Sequence, residues 1–261
     1  MQDWGQLSKE ITHWIKEYAE SNQITALVVG VSGGIDSAVT STLCAKTELK
    51  TIVLNMPIHQ ETSQYDLSNM HIGWLKSNWE NVDSHTIDLT RTYDLYADEL
   101  QNHNLSDLAS ANTRARLRMT TLYAIAGSNN GIVVGTGNKV EDFGVGFFTK
   151  YGDGGVDISP IADLYKSEVY ALAEVMGIVQ EIQDVAPTDG LWNDGRTDED
   201  QMGATYEELE WAMREIENSS SEPLTARQGE VLEIYRRLHN ANSHKMKPIP
   251  VFSRSKITMG I

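Results

Sequence analysis

Residues 26–37 read ALVVGVSGGIDS, an apolar run that passes through two glycines into polar residues. The run at 26–31 is typical of a strand buried in a parallel sheet. The residues that follow, from about Asp36 to Lys46, predict a helix. A glycine-rich turn between a strand and a helix start lets backbone N–H groups bind a phosphate. Because Ser32 and Ser37 add hydroxyl donors, this turn is a candidate phosphate site.

Other phosphate-binding patterns fit this turn poorly. A P-loop needs GxxxxGK[ST], and after the turn the first lysine is Lys46. A dinucleotide fingerprint needs GxGxxG, whereas the glycines here stand at 30, 33 and 34. A purely structural interpretation, in which Ser32 or Asp36 caps the helix, stays open beside the functional one. It explains less of the string, because many sequences satisfy a helix cap.

Segments on both sides of the turn alternate between strand and helix patterns. The periodicity predicts helices at 6–20, 36–46, 63–79 and 106–127, and strands at 26–31, 51–56, 82–89 and 131–136. This alternation predicts one α/β domain over residues 1–261, with a doubly wound, Rossmann-like parallel sheet covered by helices on both faces. Ligands of such sheets bind at the carboxyl ends of the strands.

Two stretches lack an apolar period. We expect no regular element in residues 137–160, which are rich in glycine, and residues 184–204 combine acidic residues with turn formers. Long stretches of this kind are often functional lids, which we expect at residues 137–155 and 184–204, although solvated connectors remain an alternative. Beyond them, TYEE (205–208) and TARQ (225–228) predict capping boxes at the starts of two helices.

Composition narrows the function classes. The chain carries 21 Lys+Arg against 37 Asp+Glu, a formal charge of −16, which argues against a nucleic-acid partner. The apolar runs are far shorter than the roughly 20 residues of a membrane helix, and the N-terminal residues do not resemble a signal peptide. The single cysteine, Cys44, excludes an internal disulfide and is expected to be a buried structural residue. These features favour a cytoplasmic enzyme that acts on a small molecule.

The string SGGIDS (32–37) resembles the phosphate loop of the ATP pyrophosphatases, which cleave ATP to AMP and pyrophosphate. Four further strings resemble the NAD synthetases, and together they run over nearly the whole chain. They are NTRARLRM (112–119), residues 135–169 beginning GTGNKVEDFG, PTDGLW with DGRTDEDQ (187–201), and His244-Lys245. The chain is therefore identified as a member of that family. The resemblance implies a fold of the adenine nucleotide alpha hydrolase type, without a glutaminase domain.

The resemblance also implies the reaction. Family members amidate deamido-NAD with ammonia and ATP, giving NAD, AMP and pyrophosphate through an acyl-adenylate, with Mg²⁺ as the metal. They are homodimers with the dinucleotide site near the interface, an arrangement in which His244 and Lys245 could act from the partner subunit. Which residue deprotonates ammonium stays open between Asp153 and Asp157.

The resemblance implies roles for particular residues. Asp36 and Glu141 are expected to hold magnesium, and the candidate catalytic residues are Asp36, Lys150, Asp157 and Lys166. The expected ATP contacts are Gly30, Val31, Ser32, Gly33, Gly34, Ile35, Asp36, Ser37, Thr136, Lys166 and Thr188. The expected deamido-NAD contacts are Arg116, Lys150, Asp157, His244 and Lys245. Against the family's pattern, this chain has one extra residue between Glu141 and Lys150.

Some interpretations stay open. Arg114 and Arg118 lie four residues apart and share a helix face that is either solvated or cationic for a ligand, whereas Arg116 points the other way. A tRNA-thiolating enzyme with the same phosphate loop is one alternative. Such an enzyme should carry a basic face and reactive cysteines, whereas this chain is acidic and has one cysteine. A non-catalytic nucleotide sensor is a second alternative. The chain argues against it, because a sensor need not keep the complete set of Ser32, Asp36, Glu141 and Lys166. The domain is also expected to use free ammonia and not glutamine, whose hydrolysis commonly needs an activated cysteine.

Overall fold

Four parallel strands form one sheet at the centre of the protein. The computed structural model describes residues 2–188, 190, 195–218 and 223–253. Within these residues the strand order is β3-β2-β1-β4, with all neighbouring pairs parallel. The strands are β1 Ala26–Gly30, β2 Lys50–Asn55, β3 Val82–Thr86 and β4 Gly131–Val133. The predicted parallel sheet is confirmed, and β3 and β4 are shorter than predicted.

Helices cover both faces of this sheet, as predicted. They are α1 Trp4–Ser21, α2 Ile35–Lys46, α3 Thr62–Asn78, α4 Thr90–Glu99, α5 Asp107–Ser128, α6 Lys166–Val175, α7 Gln180–Gln183, α8 Asp198–Met202, α9 Tyr206–Asn218 and α10 Ala226–Met246. Alternate residues of a strand point to opposite faces. Leu27 and Val29 accordingly join the core with α1, α2 and α6, whereas Ala26 and Val28 join the core beneath α5. In the part of the chain that is described, no helix has the length and apolar character needed to cross a membrane.

Cys44 lies on α2 and is completely buried in the core between that helix and the sheet. Burial in apolar surroundings raises the pKa of its thiol above the ordinary value. The expectation of a structural cysteine is therefore confirmed. The side chain packs and does not present a thiolate to solvent.

A second apolar cluster joins α9 and α10 to the segment after β4. The expectation of no regular element in residues 137–160 is wrong, because Lys139–Val145 forms a π-helix. Val140 and Val145 are buried against α9 and α10, and this packing holds the segment in a helical form. The wider turn of a π-helix accommodates one residue more than an α-helix would.

The predicted capping boxes are present at the starts of the C-terminal helices. Thr205 and Glu208 exchange backbone-to-side-chain hydrogen bonds at the start of α9. Thr225 and Gln228 do the same at the start of α10. Each box satisfies two N–H groups that the first helical turn would otherwise leave unpaired. These caps fix the starts of the two helices that pack on the π-helix.

Candidate active site

A cavity of about 860 Å³ opens at the carboxyl ends of β1, β2 and β4. Its wall includes residues 30–37, Thr136, Glu141, Lys166 and Thr188. This location agrees with the rule that parallel sheets bind ligands beyond the carboxyl ends of their strands. All the residues expected to contact ATP therefore line a single cavity.

The phosphate loop is shaped by a tight turn and by two hydroxyl groups. Gly33 has φ +94°, and a Cβ there would lie 2.7 Å from the carbonyl oxygen of Gln64, so a side chain would clash with backbone. The Ser32 N–H donates to Ser37 Oγ at 3.2 Å, and Ser37 Oγ donates to the Gly34 carbonyl at 2.9 Å. Gly34 is the N-cap of α2 and has no side chain with which to cap it. No side-chain hydrogen bond caps α2, so helix capping by Ser32 or Asp36 does not account for this string.

Asp36 and Glu141 converge on the Lys166 ammonium. Lys166 Nζ lies 2.5 Å from Asp36 Oδ2 and 3.0 Å from Glu141 Oε1. The lysine side chain is only 3% exposed, whereas the two carboxylates are 18% and 16% exposed. One buried cation therefore pairs with two carboxylates in the cavity wall.

The pKa values of these groups follow from burial and pairing. Burial raises the pKa of Asp36 above its ordinary value in spite of the nearby lysine. Burial also disfavours ionised Glu141, but the Lys166 ammonium and a hydroxyl donor hold its pKa below the ordinary value. Burial alone would lower the pKa of Lys166, and the two carboxylates raise it instead. The lysine is thus held in its charged form.

The carboxylate pair fits a magnesium ion in its chemistry. Magnesium prefers oxygen ligands and is usually held by one or two carboxylates together with phosphate oxygens. Asp36 and Glu141 already share one cationic partner, and both lie beside the phosphate loop. Among the described residues no group of three or more His, Cys, Asp or Glu side chains is placed to hold a metal. A metal here would therefore take its remaining ligands from water or from a bound phosphate.

Two neutral side chains that the sequence did not single out support this pair. Asn138 is fully buried and donates from Nδ2 to Asp36 Oδ1 at 3.0 Å. The Tyr206 hydroxyl donates to Glu141 Oε1 at 2.6 Å and lies 3.3 Å from Asp198 Oδ2. Asn138 belongs to the GTGNK string, and its position as a polar residue three places before Glu141 was a signal that could have been used to predict it. Tyr206 had no such signal beyond its place after a helix cap.

The cationic residues expected at the acid substrate line the same cavity. Lys150 Nζ donates to the His244 carbonyl at 3.1 Å, and Lys245 Nζ donates to the Phe148 carbonyl at 2.6 Å. Arg116 donates from Nε and Nη2 to the Lys150 carbonyl, both at 3.3 Å. His244 and Lys245 thus contribute to the cavity of their own chain, where the sequence had left the partner subunit as an option.

Arg118 is a further cation of the cavity wall. Its Nε donates to the Met56 carbonyl at 2.9 Å. Burial, with a smaller contribution from the neighbouring Arg114, lowers the pKa of its guanidinium to about 10. Arg118 lines the cavity, so the solvated-face interpretation is wrong for this residue. The guanidinium of Arg114 instead lies 5.9 Å from the ring centre of Tyr93.

Asp157 is the one expected site residue that does not line the cavity. Its Oδ2 accepts from the Val133 N–H at 2.8 Å, and its Oδ1 accepts from the Tyr123 hydroxyl at 3.0 Å. Burial and the adjoining Asp157 carboxylate raise the pKa of Tyr123 to about 12. Asp153, by contrast, lines the cavity and accepts from the Thr149 N–H at 3.0 Å. Of the two acids considered for ammonium, only Asp153 reaches the cavity.

Comparisons with known proteins show the family and the fold of this chain. A family model described as NAD synthase matches residues 7–248. The chain is 39% identical over 249 residues to an NH(3)-dependent NAD(+) synthetase of Alkaliphilus metalliredigens, covering 93% of this chain and 96% of the relative. A solved structure of NMN synthetase from Francisella tularensis matches with a TM-score of 0.86 and 32% identity, covering 97% of this chain and all of that one. An NH3-dependent NAD synthetase from Campylobacter jejuni matches with a TM-score of 0.78 and 25% identity, at the same coverage.

Proposed function

The chain belongs to the NAD synthase family, and on that premise we propose that it amidates deamido-NAD with ammonia. ATP is consumed, and the products are NAD, AMP and pyrophosphate. One observation carries the proposal: the phosphate loop, the Asp36–Glu141 pair, the cations at residues 116, 150 and 245, and His244 line one cavity. A nucleotide triphosphate and an anionic acid substrate can therefore meet there.

The chemistry requires an activated acid. A carboxylate does not react directly with ammonia, because its oxide is too poor a leaving group. The nicotinate carboxylate attacks the α-phosphorus of ATP. The bond from this phosphorus to the oxygen that bridges the α- and β-phosphates breaks, and pyrophosphate leaves. Ammonia then attacks the acyl carbon of the acyl-adenylate, AMP leaves with the bonding pair, and the surplus proton passes to a base. Asp153 is our candidate for that base, because of the two acids considered, Asp153 and Asp157, it is the one that lines the cavity.

The protein contributes to catalysis by positioning the substrates and by neutralising their charge. The N–H groups of Gly33 and of residues 35–37 bind phosphate oxygens at the start of α2, and Thr136 and Thr188 add hydroxyl groups to the ATP site. Arg116 and Lys150 orient the acid substrate, together with His244 and Lys245. Asp36 and Glu141 hold magnesium, which when bound neutralises phosphate charge. Lys166 then gives up its carboxylate partners and donates to the phosphates.

The nitrogen donor in this proposal is free ammonia, and the chain forms a single synthetase domain. Hydrolysis of glutamine commonly relies on a nucleophilic cysteine that is activated and accessible. The sequence has one cysteine, Cys44, and it is completely buried in the core with a raised pKa. This thiol cannot meet a glutamine side chain without unfolding α2. A reduced, buried cysteine is also compatible with the cytoplasm, where we propose that the protein is located.

A second candidate function is amidation of the smaller nicotinic acid mononucleotide. Two observations favour it. The Francisella protein that is named an NMN synthetase has 32% identity and a TM-score of 0.86 with this chain. In addition, Asp157, which was expected to bind the dinucleotide, is bonded to Val133 and Tyr123 outside the cavity. A mononucleotide would need fewer contacts than deamido-NAD.

We propose that the active form is a homodimer. Exposed apolar side chains on α4, on α5 and in the turn between them support this, since exposed apolar surface often marks interfaces. These side chains are those of Leu95, Tyr96, Leu105, Leu108 and Tyr123. Light scattering of the purified chain tests the proposal. A dimer that dissociates in Leu108→Glu would support it, and a wild-type monomer at assay concentration would overturn it.

Turnover with defined substrates tests the function. The purified chain is given ATP, magnesium and ammonium with deamido-NAD, with nicotinic acid mononucleotide, or with neither acid. Formation of amide and pyrophosphate only when an acid is present would support the ligase, and the larger kcat/KM identifies the acid. Replacing ammonium by ammonia-free glutamine should abolish amide formation. Pyrophosphate release that ignores both acids would point to another ATP pyrophosphatase, and no release at all would point to a sensor.

A further inference from the structure

Asn138 joins one carboxylate of the proposed metal site to the backbone that carries the other. Its Nδ2 donates to Asp36 Oδ1 at 3.0 Å. Its Oδ1 accepts from the N–H groups of Val140 and Glu141, at 3.0 and 3.1 Å, and so caps the π-helix. The side chain is completely buried. The position of Asp36 and the start of the helix bearing Glu141 are therefore tied to one rigid amide.

Tyr206 holds the opposite side of the pair. It is 6% exposed, and its hydroxyl lies 2.6 Å from Glu141 Oε1 and 3.3 Å from Asp198 Oδ2. Its ring centre lies 4.7 Å from Lys166 Nζ. The ring packs in the cluster of α9 and α10, so the whole side chain is fixed by its surroundings. The phenol is a neutral donor whose oxygen cannot move without repacking that cluster.

We propose that Asn138 and Tyr206 are positioning residues that set the spacing of the Asp36 and Glu141 carboxylates, so that both can hold one divalent cation. The proposal rests on the proposed function, in which magnesium accompanies ATP at these two acids. Neither residue touches the nucleotide in this scheme. Each acts through a carboxylate.

The physical need for such support arises when the lysine departs. As long as Lys166 lies between the carboxylates, its charge holds Asp36 and Glu141 together. Once Lys166 turns to the phosphates, the two negative groups repel each other in a poorly solvated cavity wall. Hydrogen bonds from neutral groups keep the carboxylates in place without competing for the cation's charge. Partners of this kind typically change metal affinity by 10- to 100-fold when they are removed.

The test measures magnesium binding apart from turnover. Tyr206→Phe keeps the ring and its packing and removes only the hydroxyl. Asn138→Ser keeps an oxygen that can cap the π-helix and removes the amide donor to Asp36. Tyr235→Phe is the matched control, because Tyr235 is buried in the same cluster as Tyr206. Each protein is saturated with α,β-methylene-ATP, and Mg²⁺ is titrated by calorimetry. Binding of the same analogue in EDTA is measured separately.

We expect the Kd for Mg²⁺ to rise about tenfold in Tyr206→Phe and in Asn138→Ser. It should stay within about twofold of wild type in Tyr235→Phe, and analogue binding in EDTA should be unchanged in all three. If a variant binds Mg²⁺ as wild type does, the role of that residue is overturned. A loss of analogue affinity in EDTA that equals the loss in Mg²⁺ would overturn it as well, because the effect would then be structural.

Two safeguards keep this test separate from other failures. Melting temperatures show whether each variant is folded, and if Asn138→Ser is not, Tyr206→Phe carries the decision alone. The titrations contain no acid substrate and no ammonium. Failure of the amidation assay would therefore leave the magnesium result standing, and a negative magnesium result would leave the proposed reaction standing.

Discussion

Lys166 Nζ donates to Asp36 Oδ2 at 2.5 Å, a bond between residues 130 apart in the sequence. Glu141 Oε1 lies 3.0 Å from the same nitrogen. The lysine is thus the counter-ion of two acids before any nucleotide binds. A divalent cation held by the same two carboxylates would compete with the lysine for those oxygens. Loss of the lysine and gain of the metal should therefore have opposite effects on stability.

Replacement of this lysine tests the counter-ion role. Lys166→Met keeps an unbranched side chain of similar length but leaves two partly buried carboxylates without their cation. Breaking a buried ion pair on one side typically lowers the free energy of unfolding by about 3 kcal/mol or more. We expect a loss of that size in urea unfolding at neutral pH, and a partial recovery when Mg²⁺ is added without nucleotide.

The matched control for this lysine is Lys16→Met. Lys16 pairs with Glu48 at 3.3 Å on the surface, where the lysine is 36% exposed and the glutamate 85% exposed. Such pairs contribute about 1 kcal/mol or less. An equal decrease in the free energy of unfolding in the two variants would contradict the counter-ion role. So would a stability of Lys166→Met that does not change when Mg²⁺ is added.

Asp36→Asn should separate catalysis from folding. Asparagine is also accepted near a helix start, so we expect the variant to fold and to melt near the wild-type temperature. It should lose the charge that holds magnesium, and pyrophosphate release should fall by about a hundredfold or more. The rate is measured over a range of magnesium concentrations, with Asp163→Asn as control, since the Asp163 side chain is 96% exposed. Normal turnover of Asp36→Asn at limiting magnesium would refute the metal assignment.

The fold and most of the site were predictable because their signals are local. ALVVGV is apolar at every position, and SGGIDS places glycines where the backbone must turn, so a strand, a loop and a helix follow from adjacent residues. The carboxyl ends of parallel strands meet at one edge of a sheet. The convergence of the loop after β1 and the string after β4 on one cavity was therefore predictable too.

The supporting contacts were not predictable, because they join residues that are distant in the sequence. Tyr206 reaches Glu141 across 65 residues, through the packing of α9 on the π-helix. The π-helix itself lacks the 3.6-residue period that indicates an α-helix. Asp157 was assigned to a ligand by resemblance, and its bonds to Val133 and Tyr123 depend on how β4 and α5 meet.

The π-helix leads to a prediction about the lid that the sequence suggested for residues 137–155. Its C-terminal carbonyls are held by α10, since His239 Nδ1 lies 2.7 Å from the Gly144 carbonyl and Asn242 Nδ2 donates to that of Val145 at 2.9 Å. We expect residues 139–148 to be protected from hydrogen exchange without ligand. When ATP and deamido-NAD are added, we expect protection from exchange to increase in residues 149–155.

Asn242→Ala provides the comparison for this exchange experiment. It removes one donor to the π-helix and should speed exchange of the Phe147 N–H, which donates to the Glu141 carbonyl at 2.8 Å. Fast exchange of residues 139–148 in wild type would contradict the role of α10. Equal protection of residues 149–155 with and without ligands would refute lid closure.

A buried histidine behind the phosphate loop gives a pH prediction. His71 on α3 is completely buried, and its Nε2 lies 2.9 Å from Ser41 Oγ. The same hydroxyl donates to the Ser37 carbonyl at 2.7 Å, so in this pair the imidazole is the donor. Burial lowers the pKa of His71 to about 4, against an ordinary value of 6.5. The folded protein therefore keeps this ring neutral at pH values at which the unfolded chain protonates it.

The sign of the effect follows from which state binds the proton. Between about pH 6.5 and pH 4 the unfolded chain takes up a proton that folded His71 refuses, so stability falls as the pH falls. From this residue alone we expect a loss of about 2 kcal/mol in the free energy of unfolding between about pH 7.5 and pH 5. His71→Gln keeps an amide donor but does not titrate, and urea unfolding should show a correspondingly shallower dependence on pH. His13→Gln, at a side chain that is 70% exposed, should leave the dependence as in wild type. The same slope in His71→Gln and wild type would mean that His71 is not kept neutral by the fold.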